Sequence, residues 1–216
     1  MKKIHLLAAF CLIMSTLGCS QKKSAEMSSQ RSENSYPTAE AALEAAKTNL
    51  PAILNQAQKR SYGLESDEQI RNLATTHDLQ LVLLAMNQLR DSVIRTAADA
   101  RIYALGQGAR PNICISVNKA ENNWVISTVG MKKYVDAIGE EPDVTAIVEA
   151  LGLELSFLEV QAEGEKGYRP IVDYPEAELV AQNTYSAPVL LQALERYRAA
   201  LERQFGDAFS AGELDR

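Results

Sequence analysis

One histidine, one cysteine and a group of three carboxylates are the side chains of this sequence best suited to chemistry. His77 has the ring of a general base or metal ligand, but no partner stands near it in the sequence, and the simpler expectation is a solvent-facing turn residue. Cys114 could act as a nucleophile only with a lowered pKa and a base within reach, and His77 is its one distant candidate. Glu140, Glu141 and Asp143 offer oxygens to a cation. They lack the alternating acids and distal glutamate of a calcium loop, so a solvated turn is expected. Gly106-Gln107-Gly108 is not followed by a strand-to-helix passage, which makes these turn glycines and not a dinucleotide site. There is no phosphate loop, no cysteine or histidine pair for zinc, and no strained serine elbow. No catalytic residue, cofactor or metal is therefore assigned, although paired Asp or Glu can work without a sequence signature. Trp124, opening a strand after a polar loop, marks a candidate binding surface together with Asn122 and Asn123. A core or sheet-capping aromatic is the alternative for Trp124.

The front of the chain carries the clearest signal. Lys2 and Lys3 precede a run of about 11 residues, Ile4 to Met14, apolar apart from His5 and followed by Ser15-Thr16-Leu17-Gly18-Cys19, the proportions of a secretory leader. A run that short does not reach the roughly 20 residues a membrane-crossing helix needs. Leu17-Gly18-Cys19 resembles the lipobox of the bacterial lipoproteins, with Thr16 and Leu17 where that family usually has an aliphatic and then a small residue. The resemblance covers the first tenth of the chain. It implies a signal peptide over 1–18, a Cys19 that is acylated with fatty chains such as palmitate, and anchoring to a membrane. Ser20 after the cysteine implies the outer membrane, facing the periplasm or the cell surface.

The chain has 216 residues, enough for one domain with a real core behind a leader and tether. Losing Lys2 and Lys3 with the leader would leave 20 basic against 28 acidic side chains, a net charge of −8. That sign argues against nucleic acid as a partner. Of the three cysteines, Cys11 would leave with the leader and Cys19 would carry lipid. Cys114 then has no partner for an intrachain disulfide.

Residues 19–36 read as the lipidated N-terminus and a disordered tether with almost nothing apolar in it. Residues 37–206 read as a single domain and 207–216 as a frayed tail. Pro37 and Thr38 open a helix with Ala39, Leu43, Ala46, Leu50, Ile53 and Ala57 on one face, and Pro51 is expected to kink it or end it. Ser66 and Gln69 have capping-box spacing for a short helix reaching about Ala74. Residues 79–86 are expected as a buried strand, with a helix over 78–91 as the alternative. Three antiparallel strands follow at 101–105, 113–117 and 124–129. In the middle one Cys114 shares a face with Asn112 and Ser116, away from Ile113, Ile115 and Val117. Residues 131–138 read as helical, and Pro142-Asp143 as the start of another helix carrying Val144, Ile147, Val148 and Leu151. A hairpin follows, from residues 153–160 to 168–174, with Pro170 marking an edge. Ser186 and Pro188 open a closing helix with Leu190, Leu194, Tyr197, Leu201 and Phe205 in its stripe; Glu195, Arg198 and Glu202 are expected to pair on its outer side.

These parts add up to an α+β domain: N-terminal helices, an antiparallel sheet, a helical insertion and a closing helix. The layout is similar to cystatin-like or nuclear-transport-factor-like folds, which says nothing about function. The expected function is that of a lipid-anchored cell-envelope protein, non-catalytic, binding a protein or cell-wall partner. The alternatives are an envelope hydrolase using Asp or Glu and a carrier of a small apolar ligand.

Overall fold

The computed structural model describes residues 35–84, 99–162 and 164–206. Cys19, most of the tether, the end of the 79–86 segment and the tail lie outside the described residues.

Among the described residues, eight strands form one sheet and five α-helices pack around it, an α+β architecture. The strands are β1 (Ser35–Tyr36), β2 (Ala74–Leu84), β3 (Ala100–Gly106), β4 (Ile113–Ala120), β5 (Asn123–Gly130), β6 (Val144–Ala150), β7 (Leu155–Ala162) and β8 (Glu165–Pro170). Their order in space is β1-β5-β4-β3-β2-β6-β7-β8, antiparallel everywhere except between β2 and β6. The helices are α1 (Ala39–Ile53), α2 (Gln56–Ser61), α3 (Asp67–Arg71), α4 (Lys132–Ile138) and α5 (Ala187–Phe205).

Local signals set most element ends. Thr38 caps α1 by accepting a hydrogen bond from the Ala41 amide, and Ser66 with Gln69 closes a full capping box at α3. Pro51 does not stop α1, which continues to Ile53. The proline sits in the last turn, and the Leu54 amide still reaches the Leu50 carbonyl. Asn55 then starts α2 with its own capping box, so Ala57 belongs to a separate helix. Lys59 is buried, and its ammonium meets Asp67 Oδ1 at 2.7 Å, tying α2 to α3.

The cross-strand register decides which side chains share a face. Tyr103, Leu105, Ile113, Ile115 and Val117 pack under the alanine-rich face of α1. Val82, Leu84, Val148 and Phe157 pack under Leu190, Leu191 and Leu194 of α5. Because Asp78 lies opposite Tyr103 and Gln80 opposite Arg101, the even positions of β2 point the same way as Tyr103, and α1 and α5 share one face. On the other face Leu79, Ile102, Ala104, Cys114, Ile147 and Leu158 pack with Tyr134, Val135 and Ile138 of α4.

Two expectations are corrected by this layering. Residues 144–150 are a strand and not a helix: β6 sits beside β2 in the middle of the sheet, with Ala146 and Val148 buried on one face and Val144 and Ile147 on the other. A strand covered on both sides loses its alternation, so its apolar residues mimic helical spacing. Cys114 is not on a polar face but fully buried, because α4 covers the side opposite α1. The strand expected at 79–86 is present through Leu84, as the central strand β2.

Both sheet margins are guarded. Beyond the two β1 pairs, Ser35 with Val125 and Tyr36 with Trp124, the β5 ladder is irregular: Ser116 faces Thr128 while Val117 faces Ile126. The extra residue, Ser127, bulges the edge and discourages a further strand. On the far side β8 ends in Pro170, and Tyr185 exchanges backbone hydrogen bonds with Tyr168.

Candidate binding surface

One end of the sheet gathers elements distant in sequence. β2 begins there beside the end of β3, the loop 107–112 joins β3 to β4, and α4 leads through residues 139–143 into β6. Three adjoining hollows mark this end. The largest, 620 Å³, lies between Asp136, Glu140, Glu141 and Pro142 on one side and Arg169, Ile171 and Gln182 on the other. The second, 320 Å³, is bounded by Thr76 and His77, the turn at Gly106 to Ala109, and again Glu140 and Pro142. The third, 290 Å³, runs from Tyr62 and Arg110 to Lys132 and Asp136. Glu140 and Pro142 are therefore the wall between the first two, and Asp136 is shared by the first and third.

Specific polar contacts run along the walls. Arg169 Nη1 meets Glu141 Oε2 at 3.2 Å, and Lys132 Nζ meets Asp136 Oδ1 at 3.0 Å. His77 Nε2 lies 2.9 Å from the Glu141 carbonyl oxygen and its Nδ1 3.0 Å from Thr76 Oγ1. The loop depends on Gly106, where a Cβ would collide with the Arg110 carbonyl. Asn112 locks it by donating to the Tyr62 carbonyl at 2.9 Å and accepting from the Gln107 amide at 3.2 Å.

His77 is thus not a solvent-facing turn residue. It is half-buried inside β2, at the irregularity between Thr75 and His77, with both ring nitrogens engaged. Glu140, Glu141 and Asp143 do form a turn, and two of them line the largest hollow. Gly106, expected in a turn, is instead the last residue of β3, and with Gly108 in the following loop it lines the second. Among the described residues, no three His, Cys, Asp or Glu side chains converge as a metal site.

The other sequence candidates lie elsewhere. Asn122 is exposed in the β4–β5 turn and Asn123 begins β5, at the opposite end of the sheet from the hollows. Trp124 is half-buried beside the α1 core and pairs with Tyr36, as a sheet-capping aromatic would. Cys114 is 0 % exposed, and burial pushes its thiol up to about 12, the opposite of what a nucleophile needs.

Two polar clusters were not legible in the sequence. The Tyr134 hydroxyl donates to Glu149, whose carboxylate is 3.7 Å from Lys133 Nζ; the same amine is 3.5 Å from Ser156 Oγ. Burial, reinforced by the Glu149 carboxylate, raises the Tyr134 phenol well above its ordinary range. Ser156 is 5 % exposed, and Tyr174 brackets its backbone, accepting from the amide at 2.9 Å and donating to the carbonyl at 3.2 Å. The Lys133–Ser156 pair consequently ties α4 to the sheet. In the second cluster, buried Glu159 accepts from Thr145 at 2.9 Å, Tyr168 at 3.2 Å and Lys166 at 3.0 Å. Such a carboxylate is held in place and satisfied. Arg169, Asp136, Gln182 and Thr76 were also missed as lining groups. They come from separate elements, and no local spacing links them.

No family model matches this chain, and no curated protein or solved structure is significantly similar to it.

Proposed function

We propose that this chain is a lipid-anchored cell-envelope protein whose domain recognises a protein or cell-wall partner by contact, without bond-making. The anchor rests on the lipobox-like Leu17-Gly18-Cys19, with Cys19 acylated and held at the outer membrane, facing the periplasm or the cell surface. The 16 residue-to-residue steps from Cys19 to Ser35 would reach about 55 Å at most. The observation that carries the recognition half is the pairing of charges along the adjoining hollows: Asp136 is neutralised by Lys132 and Glu141 by Arg169. Each of these carboxylates already faces a cation, and such alternating charge favours recognition of a polar surface by electrostatic complementarity. The β4–β5 turn with Asn122, Asn123 and Trp124 is a second candidate contact at the other end of the sheet.

Two experiments test the two halves. Replacing Cys19 by Ala should release the protein into the soluble fraction and abolish labelling by a fatty-acid analogue; unchanged labelling overturns the anchor. A photo-crosslinking residue at Gln182 in the full chain should trap a specific envelope component, and Arg169→Glu should reduce that trapping. If the protein instead hydrolyses an envelope polymer and Glu140→Gln or Asp136→Asn abolishes the activity, the hydrolase reading replaces this one.

A further inference from the structure

The hydrogen-bond polarity around His77 has a consequence for the wall between the two larger hollows. A carbonyl oxygen only accepts, so Nε2, 2.9 Å from the Glu141 carbonyl, carries a proton. The Thr76 hydroxyl has one proton and two acceptors in reach, the Ala104 carbonyl at 3.1 Å and His77 Nδ1 at 3.0 Å. When the proton goes to Ala104, Thr76 Oγ1 can only accept from Nδ1. Both ring nitrogens are then donors, which is the imidazolium form. A neutral ring protonated on Nε2 keeps the Glu141 bond, but the Thr76 hydroxyl must turn toward Nδ1 and abandon Ala104.

We infer that His77 and Thr76 form a proton-operated clamp on the turn that separates the hollows. In acid the imidazolium holds Glu141 by a charge-assisted bond and leaves Thr76 bonded across to β3; on deprotonation the Glu141 bond weakens and the Thr76 hydroxyl switches. The charged surroundings agree with this. Across the second hollow the turn presents Glu140. Glu141, whose carboxylate is occupied by Arg169, contributes its carbonyl, and Asp143 follows in the same turn. β3 presents uncharged Ala104, and Asp78 of β2 points to the other face, where it binds Arg101 at 2.7 Å. The loop 106–109 brings no charge. The Glu141 amide bonds the Ile138 carbonyl, so the grip is transmitted to the end of α4.

The clamp draws on the recognition reading only for its use, as an acid-responsive setting of the surface. Its test reads the turn itself, so failure of one does not entail failure of the other. In the full chain in detergent micelles, labelled with ¹⁵N, the His77 ring is assigned by comparison with His77→Gln. Both ring nitrogens should carry protons in acid, and Nε2 alone once the ring is neutral. The Gly139, Glu141 and Ala104 amide resonances should move with the same midpoint as the ring. Protection of the Glu141 amide, corrected for intrinsic exchange, should be on the order of fivefold higher in acid. Thr76→Val should abolish the Ala104 response while the ring still titrates. A neutral ring protonated on Nδ1, or turn amides that ignore the ring's titration, overturns the clamp. If His77→Gln does not fold, the wild-type titration and Thr76→Val decide the matter alone.

Discussion

Arg169 on β8 and Glu141 in the turn after α4, 28 positions apart, face each other at 3.2 Å across the largest hollow. Their side chains are 23 % and 35 % exposed, so solvent screens the pair and its contribution to stability is about 1 kcal/mol or less. Arg169→Ala should lower the unfolding free energy in urea by no more than that. The loss should shrink further at high salt, which melts of both proteins in low and high salt would show.

Gly106 is a steric requirement of the loop between β3 and β4. A methyl group there meets backbone and not the end of a mobile side chain. Gly106→Ala should cost about 1–3 kcal/mol, as other forced overpacking does. It should also shift the backbone resonances of Asn112 and Tyr62, which the loop joins.

Alkaline pH should unfold the protein through groups that burial keeps neutral. Burial pushes the Cys114 thiol from 9.0 to about 12 and the Tyr103 and Tyr168 phenols from 10.0 to about 12, the last two with carboxylates adding to the effect. An acid whose folded pKa is raised stabilises the fold fully below its unfolded value and loses that contribution as pH rises toward the folded one. Stability should therefore fall between about pH 9 and 12. Circular dichroism against pH would show it, and a thiol reagent at pH 8 should leave Cys114 untouched until denaturant is added.

Trp124 is the chain's only tryptophan, and its emission reports the strap that β1 lays over the sheet edge. Tyr36→Ala removes the residue opposite it. The emission should shift to the red and the fold lose about 0.5–1 kcal/mol, the scale of a cross-strand pair. A partner that docks on the hollows should leave this emission unchanged, while one that docks on Asn122 and Asn123 should alter it.

Much of the layout was written in residues close together in the chain. Thr38 before the alanines of α1, Ser66 with Gln69, the β-branched runs of β3 to β5, Pro170 at the edge and Pro188 in the first turn of α5 are cues read within a turn or a strand pair. They can be read without any contact from a distant part of the chain. The stripe of α5 was legible up to Leu201, whereas Phe205 is exposed; the expected Arg198–Glu202 pair forms at 3.3 Å, although Arg198 is largely buried and not on the outer side. The surface was legible only as separate hints, since Glu140, Glu141 and His77 drew notice without any sign that Arg169 and Thr76 would join them.

The sequence by itself determined where the main chain turns, caps and pairs with its nearest neighbours, and it bore the lipobox-like leader on which the anchor proposal stands. Tertiary structure alone decided what lies on the second face of each strand. Placing β6 parallel to β2 made residues 144–150 a strand, and α4 across the sheet buried Cys114. The same assembly carried the Glu141 carbonyl, 64 positions away, onto the His77 ring. The physical reason is that a face is polar or apolar only relative to what covers it, and the cover arrives from distant parts of the chain.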